Sequence, residues 1–302
     1  MREALEVLWQ VLAPIFLTAG AGYLLARRLG VQPQGLSRAA FYIFSPCLLF
    51  DKFSTTALSP ADLGRIALFA VLVIAGSGLV AWIICAVAGY GRPATMAFVL
   101  CVIAGNTGNY GLPANQFAFG EVALEPAVIY YAISTLILST VGVYLVARGQ
   151  RQASDALRNV VTVPLVYAGL AGLLVWALHI NVPVPIERAT SLAGQAAVPV
   201  MLILLGIQLA GVRLRDDLGR IGLAAGTKLV VAPLLGVLFA QLLGLTGIVR
   251  QALVLESAMP TAVMATVLTT EYEAAPEFTA GTVLVSTLAS LVTVSIVLAF
   301  LR

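Results

Sequence analysis

The chain has 302 residues, of which 60% are hydrophobic and only 10% charged, and its formal net charge is +3. Soluble domains carry about 25% charged residues, so this composition excludes a soluble globule with a charged shell. No basic run with interleaved aromatics occurs, which leaves nucleic-acid binding without support.

From the N-terminus onward the apolar residues come in long blocks. Leu5–Leu29, Leu63–Tyr90 and Leu157–Ile180 each supply the roughly 20 helical residues needed to cross about 30 Å of hydrocarbon. No cleavable signal is expected: Met1–Gln10 sets Glu3 and Glu6 against Arg2 alone, and the first apolar block is too long for a signal core. Polar, Gly and Pro clusters divide the chain into ten predicted spans: 6–29, 36–54, 62–90, 93–119, 122–147, 157–180, 186–210, 217–243, 247–271 and 275–301. The expected fold is therefore an all-α membrane protein with ten transmembrane helices. Several spans exceed the bilayer requirement and need tilt or interruption.

Lys and Arg set the orientation. The odd-numbered loops hold ten arginines, among them Arg27, Arg28, Arg38, Arg148, Arg151 and Arg158, while the side of the termini holds six basic residues. The positive-inside rule puts the first group in the cytoplasm and both termini outside, as expected of a multi-pass cell membrane protein. The three cysteines, Cys47, Cys85 and Cys101, fall in apolar segments without metal-ligand spacing and read as small core residues. No metal or cofactor is expected.

The sequence also repeats itself. Asp62-Leu-Gly-Arg-Ile-Ala-Leu returns as Asp217-Leu-Gly-Arg-Ile-Gly-Leu, a shift of 155, and Ala97-Phe-Val-Leu100 matches Ala252-Leu-Val-Leu255 at the same shift. Ser45-Pro46 faces Val198-Pro199 at a shift of 153, and Pro14, Gly22 and Pro33 map onto Pro164, Gly172 and Pro183 at 150. The predicted organisation is a first five-helix repeat over 1–148, a cytoplasmic linker over 149–156 and a second repeat over 157–302. An odd number of helices per copy inverts the second copy, the pattern of alternating-access transporters with a midplane site.

Helix breakers in mid-span mark where that site belongs, because unwound backbone in a bilayer survives only where protein or a wet cavity satisfies it. The fourth span holds Gly105, Asn106, Thr107, Gly108, Asn109, Gly111 and Pro113 within nine residues; the ninth holds Glu256, Pro260 and Thr261. At a shift of 155, Gly105 falls on Pro260 and Asn106 on Thr261. Two half-helix N-termini meeting there suit an anion, and free carbonyls suit a cation. The competing reading is that the breaks are kinks that bring small residues into close packing.

Asn106-Thr107 with Gly111-Leu112-Pro113, together with Ala258-Met259-Pro260, on a ten-helix layout with external termini, resemble the auxin efflux carrier family. That family includes the plant PIN auxin exporters and many small bacterial carriers. The resemblance implies a scaffold subdomain (helices 1, 2, 6 and 7), a transport subdomain (helices 3–5 and 8–10), broken fourth and ninth helices that cross, and an elevator-like movement. A homodimer through the scaffold is the expected assembly. Gly105 stands where the plant exporters have proline, and the long cytoplasmic loop of many plant members is missing. The expected substrate is a small organic anion, carboxylate or auxin-like, with small dicarboxylates fitting the bacterial relatives. Asn106, Thr107, Asn109 and Thr261 are the expected substrate-binding residues.

Charges inside spans are costly and usually functional. Glu256 is expected to take up a coupling proton, or else to stand near an external helix end or in a structural pair. Lys228, midway along the eighth span, is expected to neutralise an anion or to pair with Glu256. A sodium-coupled symporter and a sodium/proton antiporter are the alternatives on related crossed-helix scaffolds. No adjacent aspartate pair of the kind antiporters use is present in the spans. An enzyme is not expected, since His179 is the only histidine and has no partner in sequence.

Overall fold

The computed structural model describes residues 8–147, 163–212 and 217–301. The linker over 149–156 and Arg148, Arg151, Arg158, Arg213 and Arg215 lie outside these residues, so half of the arginines behind the expected orientation are not described. Among the described residues the fold is helical throughout, and the only strand-like feature is a single isolated bridge.

A π-helical turn, Leu8–Leu12, runs into α1 (Ala13–Leu29); α2 (Pro33–Ala39) is joined by a second π turn to α3 (Ser45–Ser54). Then follow α4 (Pro60–Val87), α5 (Arg92–Ile103), α6 (Leu112–Phe119), α7 (Leu124–Ile137) and α8 (Val143–Val146). The remaining helices are α9 (Pro164–Ala177), α10 (Val184–Ala210), α11 (Leu218–Leu242), α12 (Gly247–Ser257), α13 (Val263–Glu271) and α14 (Pro276–Leu301).

Among the described residues, six continuous helical stretches are long and apolar enough to cross a membrane: Trp9–Leu29, Pro60–Val87, Glu121–Val146, Val184–Ala210, Leu218–Leu242 and Pro276–Leu301. The protein is thus an all-α membrane protein. The other four expected spans are not continuous helices of that kind, for local reasons. Residues 93–119 and 247–271 are each divided by unwound backbone. Residues 33–54 are helical throughout, with a π turn at Ala40–Phe44, but carry Arg38, Asp51 and Lys52 and are less apolar than the six, and only Pro164–Ala177 of the expected 157–180 is described as helix. α4, with 28 residues, is about 42 Å long at 1.5 Å per residue, so it spans only with tilt.

The repeated Asp-Leu-Gly-Arg motif opens a helix in both copies. Ser59 caps α4, its hydroxyl accepting the Asp62 N–H at 3.2 Å and donating to Asp62 Oδ2 at 2.7 Å. Asp217 itself caps α11, accepting the Gly219 N–H at 2.8 Å. In each copy the arginine three residues on pairs with the aspartate, Arg65 at 3.6 Å and Arg220 at 2.9 Å. The Arg220 hydrogen bond, backed by the Gly219 and Arg220 N–H groups, holds the Asp217 carboxyl below its usual range. An acid in the first turn also complements the positive end of the helix dipole.

Packing sorts most of the helices into two groups. α10 lies against α1 and α3, and α9 against α3; α4 lies against α5, α7 and α11, and α14 against α11 and α13. The α1–α10 contact is backbone on backbone: a Cβ on Gly206 would fall 1.7 Å from the Ala19 carbonyl oxygen, and one on Gly22 2.1 Å from that of Ile203. Small residues allow such approach, the usual way in which membrane helices associate without a hydrophobic drive between them.

Candidate functional site

The two unwound segments meet. Asn106 N–H donates to the Pro260 carbonyl at 2.7 Å and Ala262 N–H to the Ala104 carbonyl at 2.8 Å, with Gly105 opposite Thr261 in an antiparallel bridge. The bonds exchange under a swap of 104 with 260 and 106 with 262, a local two-fold with a shift of 156. The bridge thus sets Gly105 opposite Thr261, next to the Pro260 that the shift of 155 gives as its repeat equivalent. Pro260 has no N–H and is needed here only as an acceptor, which is why proline is tolerated at this position. Each strand-like residue thus satisfies part of the backbone that the breaks leave without helical partners.

Further bonds fix the break. Thr261 N–H donates to Ser286 Oγ at 3.1 Å, and Thr261 Oγ1 donates to the Cys101 carbonyl at 3.0 Å. Ser286 belongs to a fully buried hydroxyl face of α14, with Thr282 and Ser290 one turn away on either side. Lys228 places its ammonium beside Gly105, where a Cβ would lie 3.3 Å from Nζ. There it faces the C-terminal end of α5, where a cation opposes the negative end of the helix dipole.

A cavity of about 580 Å³ opens beside the crossing. Ala104–Asn109 and Ala262–Met264 form its inner wall; Tyr131, Ser134, Met201 and Gln208 flank it, and Gln34 and Arg38 stand at its mouth. Among the described residues no acidic side chain lines it, and Arg38 is its only charged lining residue. Asn106 is buried in this wall, and its Nδ2 has no hydrogen-bond partner. Thr107 Oγ1 shares a 2.9 Å bond with Ser134 Oγ, and Asn109 Nδ2 donates to Gln208 Oε1 at 3.3 Å. Gly108 lies under the Tyr131 ring, where a Cβ would come within 2.7 Å of Cε2; Tyr131 Oη donates to Ser45 Oγ at 3.3 Å.

The π turn Thr107–Gly111 and α13 both begin at this wall, and neither has a side-chain cap. The N–H groups of Thr107, Gly108 and Asn109, and of Val263 and Met264, have no acceptor in their own helix, whereas Tyr110 N–H donates to the Asn106 carbonyl at 3.3 Å and Ala265 N–H to that of Ala262 at 3.0 Å. Pro113 lies where the π turn passes into α6, inside a helical run that is unbroken from Thr107 to Phe119, because Gly111 and Leu112 both keep right-handed helical backbone.

Glu256 lies behind the crossing, not at a helix end exposed to solvent. It is completely buried in the last turn of α12, with its carboxylate packed on Gly111: a Cβ there would be 2.3 Å from Oε2. Asn115 Nδ2 donates both to Glu256 Oε1 at 2.9 Å and to the Gly111 carbonyl at 3.0 Å. That second bond fixes which way the amide faces. Glu256 Oε2 and Asn115 Oδ1 are then left buried without partners. Among the described residues Glu256 and Lys228 form no ion pair within 4.0 Å, contrary to the expected structural pair.

The structure thus brings Asn106, Thr107, Gly105, Gly108 and Asn109 to the cavity wall. It turns Thr261 away, its hydroxyl and N–H both engaged inside the fold. Gln208, Ser134, Asn115 and Ser286 were missed from the sequence, because the partners that give them their place lie far along the chain; Asn115, two residues after Pro113, stood closest to a signal.

Comparison with known proteins finds transporters. The family model described as "Membrane transport protein" matches residues 7–158 and 153–298. An uncharacterized transporter of Methanothermobacter thermautotrophicus is 27% identical over 281 residues, covering 90% of this chain and 91% of its own length. A protein of Rhizobium meliloti named "Putative malonate transporter" is 29% identical over 304 residues, covering 96% and 94%. An uncharacterized transporter of Methanocaldococcus jannaschii is 25% identical over 202 residues, or 66% of each chain. With a family model matched along nearly its whole length, this chain belongs to the membrane transport protein family of auxin efflux carrier type.

Proposed function

We propose that this protein is a secondary carrier of a small organic anion, bound at the crossing of the two broken segments. The observation that carries the reading is Asn106: a buried amide donor without a partner, in a cavity wall with two uncapped helix starts and no acidic side chain. A buried donor left unpaired is costly, and a carboxylate at this wall supplies the acceptor. Helix N-termini favour the same charge. The malonate named for the Rhizobium meliloti relative makes small dicarboxylates the class to test first.

The same reading includes ten crossings arranged as two inverted five-helix repeats. Its support is the matched helix starts at Asp62 and Asp217 and the two-fold pair of bonds at the crossing. α1–α3 with α9 and α10 form the scaffold, through which two copies associate. α4–α8 with α11–α14 form the transport part, which carries the crossing from one membrane face to the other. With Arg38 on the cytoplasmic side by the positive-inside rule, the cavity faces inward.

Coupling to a proton at Glu256 completes the proposal. Its Oε2 is unpaired and sealed from solvent, so there is no room for a hydrated ion, whereas a proton needs none. Lys228, Asn115 and Tyr130 are the polar groups around it. The test of the whole reading is saturable binding of a dicarboxylate series to the purified protein, followed by flux in proteoliposomes. Binding of malonate-class anions with flux is the expected result.

A further inference from the structure

A second cavity, of about 470 Å³, lies between α3, α10 and the start of α7. Its lining is related to that of the first. At the shift of 153 that aligns Ser45 with Val198, three residues of the first cavity, Arg38, Phe41 and Ser45, correspond to Ser191, Gly194 and Val198 of the second. The exchange also runs the other way. Leu48 and Asp51 line the second cavity, and their equivalents at the same shift, Met201 and Leu204, line the first. A surface swapped residue for residue between two repeats is what a single path shows when one of its mouths is open and the other shut.

The second mouth is held by polar contacts that bridge the two groups of helices. Lys52 of α3 pairs with Glu121 at 3.6 Å. Gln116 Nε2 of α6 donates to the same Glu121 side chain. Just beyond α3, Thr56 Oγ1 donates to Glu125 Oε1, and Ala57 N–H donates to the same oxygen at 3.2 Å. Lys52 is the only basic residue lining this cavity, as Arg38 is in the first.

We propose that the second cavity is the closed opposite mouth of the anion path. Lys52–Glu121 and Thr56–Glu125 latch it shut, and opening frees Lys52 to attract the anion from that side. The inference rests on the carrier reading above. An exposed ion pair contributes little, so the latch is weak enough to open within a transport cycle, and the partly buried Glu125 bonds add to it.

The test uses the full-length protein in membranes, with its three cysteines replaced, and an impermeant maleimide applied to either face. One reporter, Val198→Cys, lines the second cavity and is buried in this state, and the other, Gln34→Cys, stands exposed at the first mouth. Combining Glu121→Gln with Glu125→Gln is expected to raise Val198→Cys labelling about fivefold and to lower Gln34→Cys labelling from the opposite face. A purely local loosening raises the first without lowering the second, so unchanged Gln34→Cys labelling overturns the proposal. A second arm bridges Lys52→Cys and Glu121→Cys with a reducible bifunctional thiol reagent. Arrest of flux, reversed by reductant, is expected; flux that persists in the bridged protein overturns the latch, even where the labelling variants fold poorly. Malonate stabilisation of the unmodified protein against heat is measured alongside. Its loss counts against the carrier reading, whereas its presence with no reciprocal labelling counts against the latch alone.

Discussion

Asn106 and Pro260, 154 residues apart in sequence, are joined by a 2.7 Å hydrogen bond from the asparagine N–H to the proline carbonyl. The bond pins the backbone of Asn106 and leaves its amide side chain free at the cavity wall. Backbone position and side-chain availability are thus set by different groups, so the side chain can be changed without breaking the crossing. Asn106→Ala is accordingly expected to unfold at the wild-type temperature within a few degrees, in a detergent-solubilised thermal melt.

Gly111→Ala is expected to destabilise by about 1–3 kcal/mol, the usual range for overpacking. The added methyl meets Glu256 Oε2 at 2.3 Å, and the carboxylate is held by Asn115 and cannot swing away cheaply. Shortening Glu256 to alanine in the same protein should recover most of that loss, giving a strongly non-additive double-mutant cycle. Additive losses in thermal unfolding would mean that the methyl clashes elsewhere.

Gly206→Ala and Gly226→Ala differ only in surroundings. The first puts a methyl 1.7 Å from the Ala19 carbonyl; the second, mid-way along α11, meets nothing within 4 Å. The first is expected to lower thermal stability clearly, since two backbones must part. The second should raise stability by up to about 1 kcal/mol, the helix-propensity gain of alanine over glycine.

Glu256→Gln keeps the shape of the side chain and removes its exchangeable proton. It is expected to bind substrate but to lose the pH dependence of flux and the sensitivity to a protonophore in proteoliposomes. Lys228→Met is expected to weaken anion binding, because the ammonium beside Gly105 is the nearest buried positive charge to the crossing. The double mutant separates coupling from structure: recovery of stability there would reveal a long-range Lys228–Glu256 dependence despite the lack of direct contact. Wild-type pH dependence in Glu256→Gln would remove the proton role.

The breaks were legible in the sequence because Gly105, Gly108, Asn109, Gly111 and Pro113 are residues that a continuous helix in lipid does not tolerate together. Their partners were not. Asn115 reaches Glu256 across 141 residues and Asn109 reaches Gln208 across 99, and no local pattern distinguishes such residues from other helical positions. Thr261 was expected at the substrate for its hydroxyl; Ser286 and the Cys101 carbonyl, both distant in sequence, take it inward instead. Two of the ten expected spans, 93–119 and 247–271, proved divided by unwound backbone, because hydropathy counts apolar residues and does not say whether they form one helix.

The central claim is that the crossing binds a small organic anion through the Asn106 side chain, and isothermal titration of purified wild type and Asn106→Ala with malonate tests it most directly. The account predicts saturable binding to the wild type and affinity reduced roughly 5- to 150-fold in the mutant, corresponding to about 1–3 kcal/mol for a lost buried hydrogen bond. Equal affinity in a folded Asn106→Ala, or no binding of malonate or any other small organic anion to the wild type, would contradict it.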